Sequence, residues 1–244
     1  MSLSLNNINK SFGSVKVLNN VSINSIKKEC LGIIGPNGAG KSTLFKVISG
    51  NLKQDTGDIF FNDSNINNLN IEKRARLGIS QSFQKNSLFS EMTVKESLML
   101  ALSHKYKITF NILHSLLDNK TINKDAITIA KDTGLLDYLD IKSDNLAYGL
   151  QRQLELGIAI ACNPKLLLLD EPTAGMSPAE TKGIIMLIKN LSIKYSIIIV
   201  EHDMDVIYQL ADRIYVLDRG SLIFEGDAKS VKESKLVQKI YLGI

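Results

Sequence analysis

The chain has 244 residues, 44% of them hydrophobic and 22% charged, and its formal charge of +4 is the balance of 29 basic and 25 acidic side chains. That composition is close to the globular average and excludes disordered, collagen-like and disulfide-built proteins; no clustered Lys/Arg stripe marks a nucleic-acid footprint. The length is long for one domain and short for two, so one α/β domain with an inserted lobe is the expectation.

The longest stretch free of Asp, Glu, Lys and Arg, residues 30–40, is broken by Gly35, Pro36 and Gly38. It falls far short of the ~18 apolar residues that a membrane span needs. The first residues, with Asn6, Asn7, Asn9 and Lys10 among single apolar ones, lack the continuous apolar segment of a signal peptide, so a cytosolic chain is expected. Cys30 and Cys162 have no partner at metal-ligand spacing and are expected to be small core fillers.

In chain order, residues 3–8 alternate apolar and polar, and residues 17–23 do so more loosely, as strands of a half-exposed sheet. Residues 30–34 are a short apolar run ending at Gly35, the pattern of a strand buried on both faces. Residues 41–49 carry helical spacing through Leu44, Val47 and Ile48 and stop at Gly50, a C-terminal cap. Residues 59–61 read as a strand and the Asn-rich 62–70 as turn and loop. From Thr93 to about Lys165 the period turns helical, in segments at 94–101, 108–117, 126–130 and 154–161. Residues 166–169 and 197–200 are continuous apolar runs between helical patterns, as parallel central strands are, and the chain after Ala228 is helical or loose.

The chemistry is concentrated at the strand ends. Gly35-Pro36-Asn37-Gly38-Ala39-Gly40-Lys41-Ser42 matches the phosphate-binding loop G-x-x-x-x-G-K-[ST], after a buried strand and before a helix. Glycines let the backbone wrap a phosphate, the loop amides and helix N-terminus supply positive potential, Lys41 reaches β- and γ-phosphates, and Ser42 can ligate Mg²⁺. Asp170 and Glu171 follow a buried strand, at the edge where ligands of open α/β sheets bind. Asp170 suits Mg²⁺, and Glu171 suits a general base that polarises the attacking water. His202, inside Glu201-His202-Asp203, reaches the same ledge and can donate to a γ-phosphate oxygen. Gln84 ends the 77–83 segment just before the helical lobe, where a side-chain amide can sense Mg²⁺ or water. Ala147-Tyr148-Gly149-Leu150-Gln151 precedes a helix and is expected to leave a free helix N-terminus near Gly149.

In this order the motifs resemble the nucleotide-binding subunit of ABC transporters over essentially the whole chain. The resemblance makes the glycine-rich loop the Walker A motif, Gln84 the Q-loop, residues 146–150 the signature, residues 166–171 Walker B and His202 the switch histidine. It implies a P-loop NTPase with a RecA-like core (residues 1–86 and 166–230), an antiparallel β subdomain, an inserted helical subdomain (87–165) and a C-terminal tail (231–244). It also implies ATP and Mg²⁺ as ligands, with Phe12 stacking on adenine beside Val17 and with Thr43, Gly149 and Gln151 touching nucleotide. Glu171, His202, Gln84 and Lys41 would be catalytic, and Ser42, Gln84 and Asp170 would hold the metal. Two subunits, alike or paralogous, would sandwich two ATP molecules, each between one subunit's Lys41 loop and the other's Gly149 helix end. Integral membrane permease subunits would be the partners at the cytoplasmic face of the inner membrane, with an extracytoplasmic solute-binding protein acting indirectly.

Two segments depart from the family pattern. Ala147-Tyr148-Gly149-Leu150 stands where Ser-Gly-Gly-Gln is common, and Ser177 stands where the loop after Walker B usually has Asp. Among subgroups, Ser82-Phe83-Gln84, the Ala147-Tyr148-Gly149 signature, Ala174-Gly175-Met176, Glu201-His202-Asp203-Met204 and terminal Tyr241-Leu242-Gly243 look most like branched-chain amino acid importer ATPases. Urea and amide importers share much of this. A lipopolysaccharide-export ATPase has a similar length and C-terminal end, but the Tyr148 signature argues against it. A soluble ABC ATPase of iron-sulfur cluster assembly would have no membrane partner.

Overall fold

The computed structural model describes residues 3–82, 90–106 and 119–242. The expectations for Gln84 and for a helical segment at 108–117 lie outside the described residues. A four-stranded antiparallel sheet in the order β2-β1-β4-β5 is formed by β1 (Leu3–Phe12), β2 (Val15–Ser25), β4 (Thr56–Phe61) and β5 (Ser64–Asn65). A six-stranded sheet in the order β10-β9-β3-β8-β7-β6 contains β3 (Cys30–Ile34), β6 (Ile79–Gln81), β7 (Leu166–Asp170), β8 (Ser196–Val200), β9 (Arg213–Asp218) and β10 (Ser221–Gly226). All its pairs are parallel except the β9–β10 edge hairpin.

The first two strands run well past the alternating segments, because register shifts along β1 carry the ladder across Asn and Lys positions that break the apolar pattern. Asn7 and Asn20 take left-handed backbone there, which their short polar side chains tolerate. Apolar-run reading passes over β10, since every one of its residues is partly exposed or exposed, and over its hairpin partner β9, although residues 214–217 are a buried run. The left-handed pair Arg219 and Gly220 makes its tight turn, with the twist a two-residue hairpin needs.

Helix α1 (Lys41–Ser49) ends at Gly50 in left-handed conformation, as its sequence requires. Helix α2 (Ile71–Leu77) follows the 62–70 loop, its start capped by the Asn70 side chain accepting from the Lys73 amide. Helices α3 (Val94–Lys105), α4 (Lys120–Asp132) and α5 (Tyr148–Ala161) bury Leu98, Met99, Ile122, Ala126, Ala130 and Leu154 in a core of their own. The central sheet packs against α6 (Pro178–Ser192) and α7 (Met204–Leu210) on one face. The end of the chain forms α8 (Ala228–Glu233) and α9 (Lys235–Leu242), whose Val231 and Val237 join that same cluster. Among the described residues no helix is long and apolar enough to cross a membrane.

Cys30 is buried in β3, and burial pushes its thiol up to about 12. Cys162 corrects the expectation of a second core filler: it is exposed, because α5 ends at Ala161 and the next residue caps the helix at the surface.

Among the described residues Arg74 is the largest fully buried side chain. Its guanidinium donates to the carbonyls of Val47 (2.7 Å) and Ile48 (2.8 Å) in the last turn of α1, and to those of Ile66 (3.0 Å) and Leu69 (2.9 Å). A cation therefore sits on the carbonyl end of the helix that follows the glycine-rich loop, where the dipole favours it. Burial draws its pKa down to about 10, which still leaves it charged at neutral pH. Replacing it by a donor-free side chain of similar length, Arg74→Met, should cost about 3 kcal/mol by leaving buried carbonyls unpaired. In a thermal melt the midpoint should fall by about 6–12 °C, and a midpoint unchanged to within a degree would show that Arg74 is not what holds the end of α1.

Candidate functional site

Parallel pairing brings the strand ends level. Val200 is paired with Ile33 on one side and Asp170 on the other, so β3, β8 and β7 stop at one height. The glycine-rich loop leaves β3, Glu171 leaves β7 and His202 leaves β8, all on this ledge.

The loop is shaped by its backbone. Gly40 caps the start of α1 with φ of 103°, and a Cβ there would lie 2.7 Å from the Val17 carbonyl, so no other residue fits. Lys41 folds back under the loop and donates to the carbonyls of Gly35 (2.6 Å) and Pro36 (3.1 Å). Burial lowers its pKa, while the negative charges of Glu171 and Asp170 act in the opposite sense. Val17, Asn37, Gly38, Ala39, Gly40, Lys41, Ser42 and Thr43 line an open cleft of about 340 Å³ together with His202. Gly35 and Pro36 stand behind this lining, as the acceptors that hold Lys41. Phe12, at the end of β1, is 51% exposed and so leaves a ring face accessible.

Glu171 takes left-handed backbone with φ of 48°, an uncommon conformation for a non-glycine residue, and its amide donates to the Val200 carbonyl at 2.8 Å. His202 Nε2 lies 2.7 Å from Glu171 Oε1. Burial raises the pKa of Asp170, and the charge of Glu171 adds to the effect. A buried carboxylate that sequence reasoning passed over stands behind this pair. Glu201 accepts from the Thr173 amide (2.9 Å), the Thr173 hydroxyl (2.6 Å) and the His202 amide (3.1 Å), locking the two strand-end loops together. Its only sequence signal is its place between a buried strand and His202.

The signature segment is positioned differently from expectation. No free helix N-terminus is found at Gly149: its amide donates to Glu180 Oε1 at 3.0 Å. The reason is the capping box of α6, in which Glu180 Oε2 accepts from the Ser177 amide (2.9 Å) and hydroxyl (2.7 Å), leaving Oε1 to reach α5. Ser177, one of the two departures from the family pattern, thus acts as a helix cap. The Gln151 amide group, expected at the nucleotide, donates to the Leu146 carbonyl at 3.0 Å. Neither Gly149 nor Gln151 lines the cleft of the chain's own Lys41 loop, and the expected place of the Gly149 helix end is at the other subunit's nucleotide.

The sequence profile described as "ABC transporter" matches residues 18–174. The chain is 35% identical over 250 aligned positions to the high-affinity branched-chain amino acid transport ATP-binding protein LivG of Escherichia coli, covering 99% of this chain and 97% of the relative. It superposes with a TM-score of 0.86 and 34% identity on the crystal structure of the ADP conformation of MJ1267, an ATP-binding cassette of an ABC transporter, with both chains covered in full. It also resembles the dimeric post-hydrolysis state of the cassette MJ0796 bound to ADP and Pi, with a TM-score of 0.78, 26% identity, and 93% and 98% of the two chains covered.

Lys41 is the charged group seated within the loop, and Lys41→Ala removes it without touching the glycine backbone. Affinity for ATP, read by titration calorimetry, should fall by about 10- to 100-fold. Unchanged affinity would contradict the assignment of the loop to phosphate.

Proposed function

This chain belongs to the ABC transporter family as an ATP-hydrolysing, ATP-binding subunit, and from that premise we propose that it energises import of branched-chain or other amino acids. The observation that carries the reading is the single ledge on which Lys41, Ser42, Asp170, Glu171 and His202 meet. The name of the 35%-identical LivG supports the solute class. The dimeric, ADP- and Pi-bound state of MJ0796 supports a two-subunit sandwich, assembled here from two copies or from this chain and a paralogue. Integral membrane permease subunits at the cytoplasmic face of the membrane receive the work, and an extracytoplasmic binding protein delivers the solute. In this reading residues 1–86 and 166–230 form the nucleotide core, 87–165 the helical subdomain, and 231–244 the C-terminal tail.

The chain's own groups account for the chemistry. Phe12 stacks on adenine and the amides of 37–43 cradle the phosphates, with positive potential from the N-terminus of α1. Lys41 exchanges the carbonyls of Gly35 and Pro36 for β- and γ-phosphate oxygens, already seated in the loop at little further entropic cost. The donor set of a Ser42 hydroxyl and an Asp170 carboxylate, both hard oxygens, fits Mg²⁺, which when bound would neutralise charge on the phosphates. Glu171 takes a proton from the attacking water as the water oxygen bonds to the γ-phosphorus and the bond to the bridging oxygen of ADP breaks. His202, hydrogen-bonded to Glu171, orients that carboxylate and donates to the γ-phosphate. The products are ADP and phosphate, and differential affinity for ATP and ADP drives the subunits between closed and open pairs.

Glu171→Gln keeps the shape and removes the base. Turnover should fall by at least about 100-fold while ATP affinity is kept. Normal hydrolysis by this variant would remove Glu171 from the role. Solute class is tested separately, by deleting the chain from its source cell and following labelled leucine: retained uptake would direct the search to another amino acid or amide.

A further inference from the structure

The signature helix and the loop behind the base are tied together inside one chain, and we propose that Tyr148 is the positioning residue that makes them a single piece during hydrolysis. The inference rests on the two-subunit reading above. It concerns a position where the family commonly has glycine, so the hydroxyl at issue is a feature of this signature variant.

The Tyr148 ring is partly exposed, yet both capacities of its hydroxyl are used. The O–H donates to the Ala174 carbonyl at 2.9 Å, and the oxygen accepts from Arg152 Nη2 at 2.8 Å. The Arg152 guanidinium also lies 5.2 Å from the centre of the Tyr148 ring, and its Nη1 pairs with Glu155 Oε2 at 2.6 Å. Those two charged side chains are only 11% and 8% exposed, so the ion pair is screened little by solvent and fixes the guanidinium. Tyr148 is therefore braced from inside α5, and its free end is spent on the backbone of another segment.

That segment leads directly to the base. Ala174 is held from both sides: its carbonyl by Tyr148 and its amide by the Glu171 carbonyl, at 3.1 Å. Three residues further on, Ser177 and Glu180 close the second tie, the Gly149 amide on Glu180 Oε1. Gly149 and Tyr148 thus each bind one end of residues 174–180. A Cβ on Gly149 would meet Glu180 Oε1 at 2.9 Å, so a larger residue at the first of these positions would have to push the Glu180 side chain aside and disturb the tie. A signature end presented to the partner subunit's nucleotide then cannot shift without pulling on Ala174, and through it on the strained turn at Glu171. The serine hydroxyl absent at Ala147 and the aspartate absent at Ser177 are replaced by this internal wiring.

Tyr148→Phe keeps the ring and its face towards the Arg152 guanidinium and deletes the hydroxyl, with its bonds to Ala174 and to Arg152 Nη2. Three quantities decide the matter: kcat, the ATP affinity of the monomer, and the ATP concentration that half-dimerises the Glu171→Gln variant with and without Tyr148→Phe. Loss of the hydroxyl's two hydrogen bonds in each subunit, of which the one to Ala174 is the tie, should lower kcat about tenfold and raise that concentration about tenfold, with monomer affinity within about twofold of the parent. Arg152→Lys, which withdraws the brace and leaves the hydroxyl, should move kcat in the same direction. Dimerisation and kcat both unchanged in Tyr148→Phe would overturn the proposal and leave the sandwich standing. Equal losses of kcat, monomer affinity and melting temperature would show Tyr148 to be a general structural residue and would also overturn it. A Glu171→Gln parent that stays monomeric at saturating ATP would overturn the sandwich and this proposal with it.

Discussion

The parallel pairing of β3, β8 and β7 is the constraint on which the site depends. Parallel strands hydrogen-bond at a fixed register, and here the register sets Ile33, Val200 and Asp170 side by side. Every residue of β3 and β8 is buried, so a slip along the ladder would expose apolar side chains and strand backbone polar groups. The chemistry inherits that precision: a phosphate-binding loop, a carboxylate pair and a histidine arrive at one ledge from three separate strand ends, with His202 and Glu171 within hydrogen-bond reach of each other.

The second constraint is electrostatic. Asp170, Glu171 and Glu201 gather three carboxylates at consecutive strand ends, a repulsive arrangement unless each has a task and a partner. Glu201 is saturated by Thr173 and the His202 amide, which turns a buried charge into a brace. Glu171 pairs with His202, and burial favours the protonated form of Asp170. The positive side is supplied by Lys41 and the N-terminus of α1, anchored at its other end by Arg74. Opposite ends of one short helix thus carry opposite duties, phosphate binding at one and a buried cationic cap at the other.

The helical lobe shows how a motif can be right in place and different in state. Gly149 stands at the start of α5 as its sequence requires, but the amide there is engaged by Glu180, 31 residues away. Tyr148, Arg152 and Glu155 share one stretch of helix at spacings of three and four residues, so their mutual contacts are local. What they hold is not local, since Ala174 belongs to the loop after β7.

Local chemistry was enough to read much of this protein from its sequence. The loop 35–42 and helix 41–49 are legible because glycine, lysine and serine at fixed offsets, after an apolar run of strand length, have few other backbone solutions. The bounds of β3 and α1 follow from the same reading. The edge strand β10 leaves no hydrophobic period to read, because none of its residues is buried. Cys162 departs from the core-filler expectation because one residue beyond a helix end separates core from surface. Arg74 under α1, Glu201 on Thr173 and Glu180 on Gly149 join residues 27, 28 and 31 positions apart. A charged side chain in a sequence announces a need for a partner and not which partner meets it, because that choice is made by strand register and helix packing once distant segments are brought together.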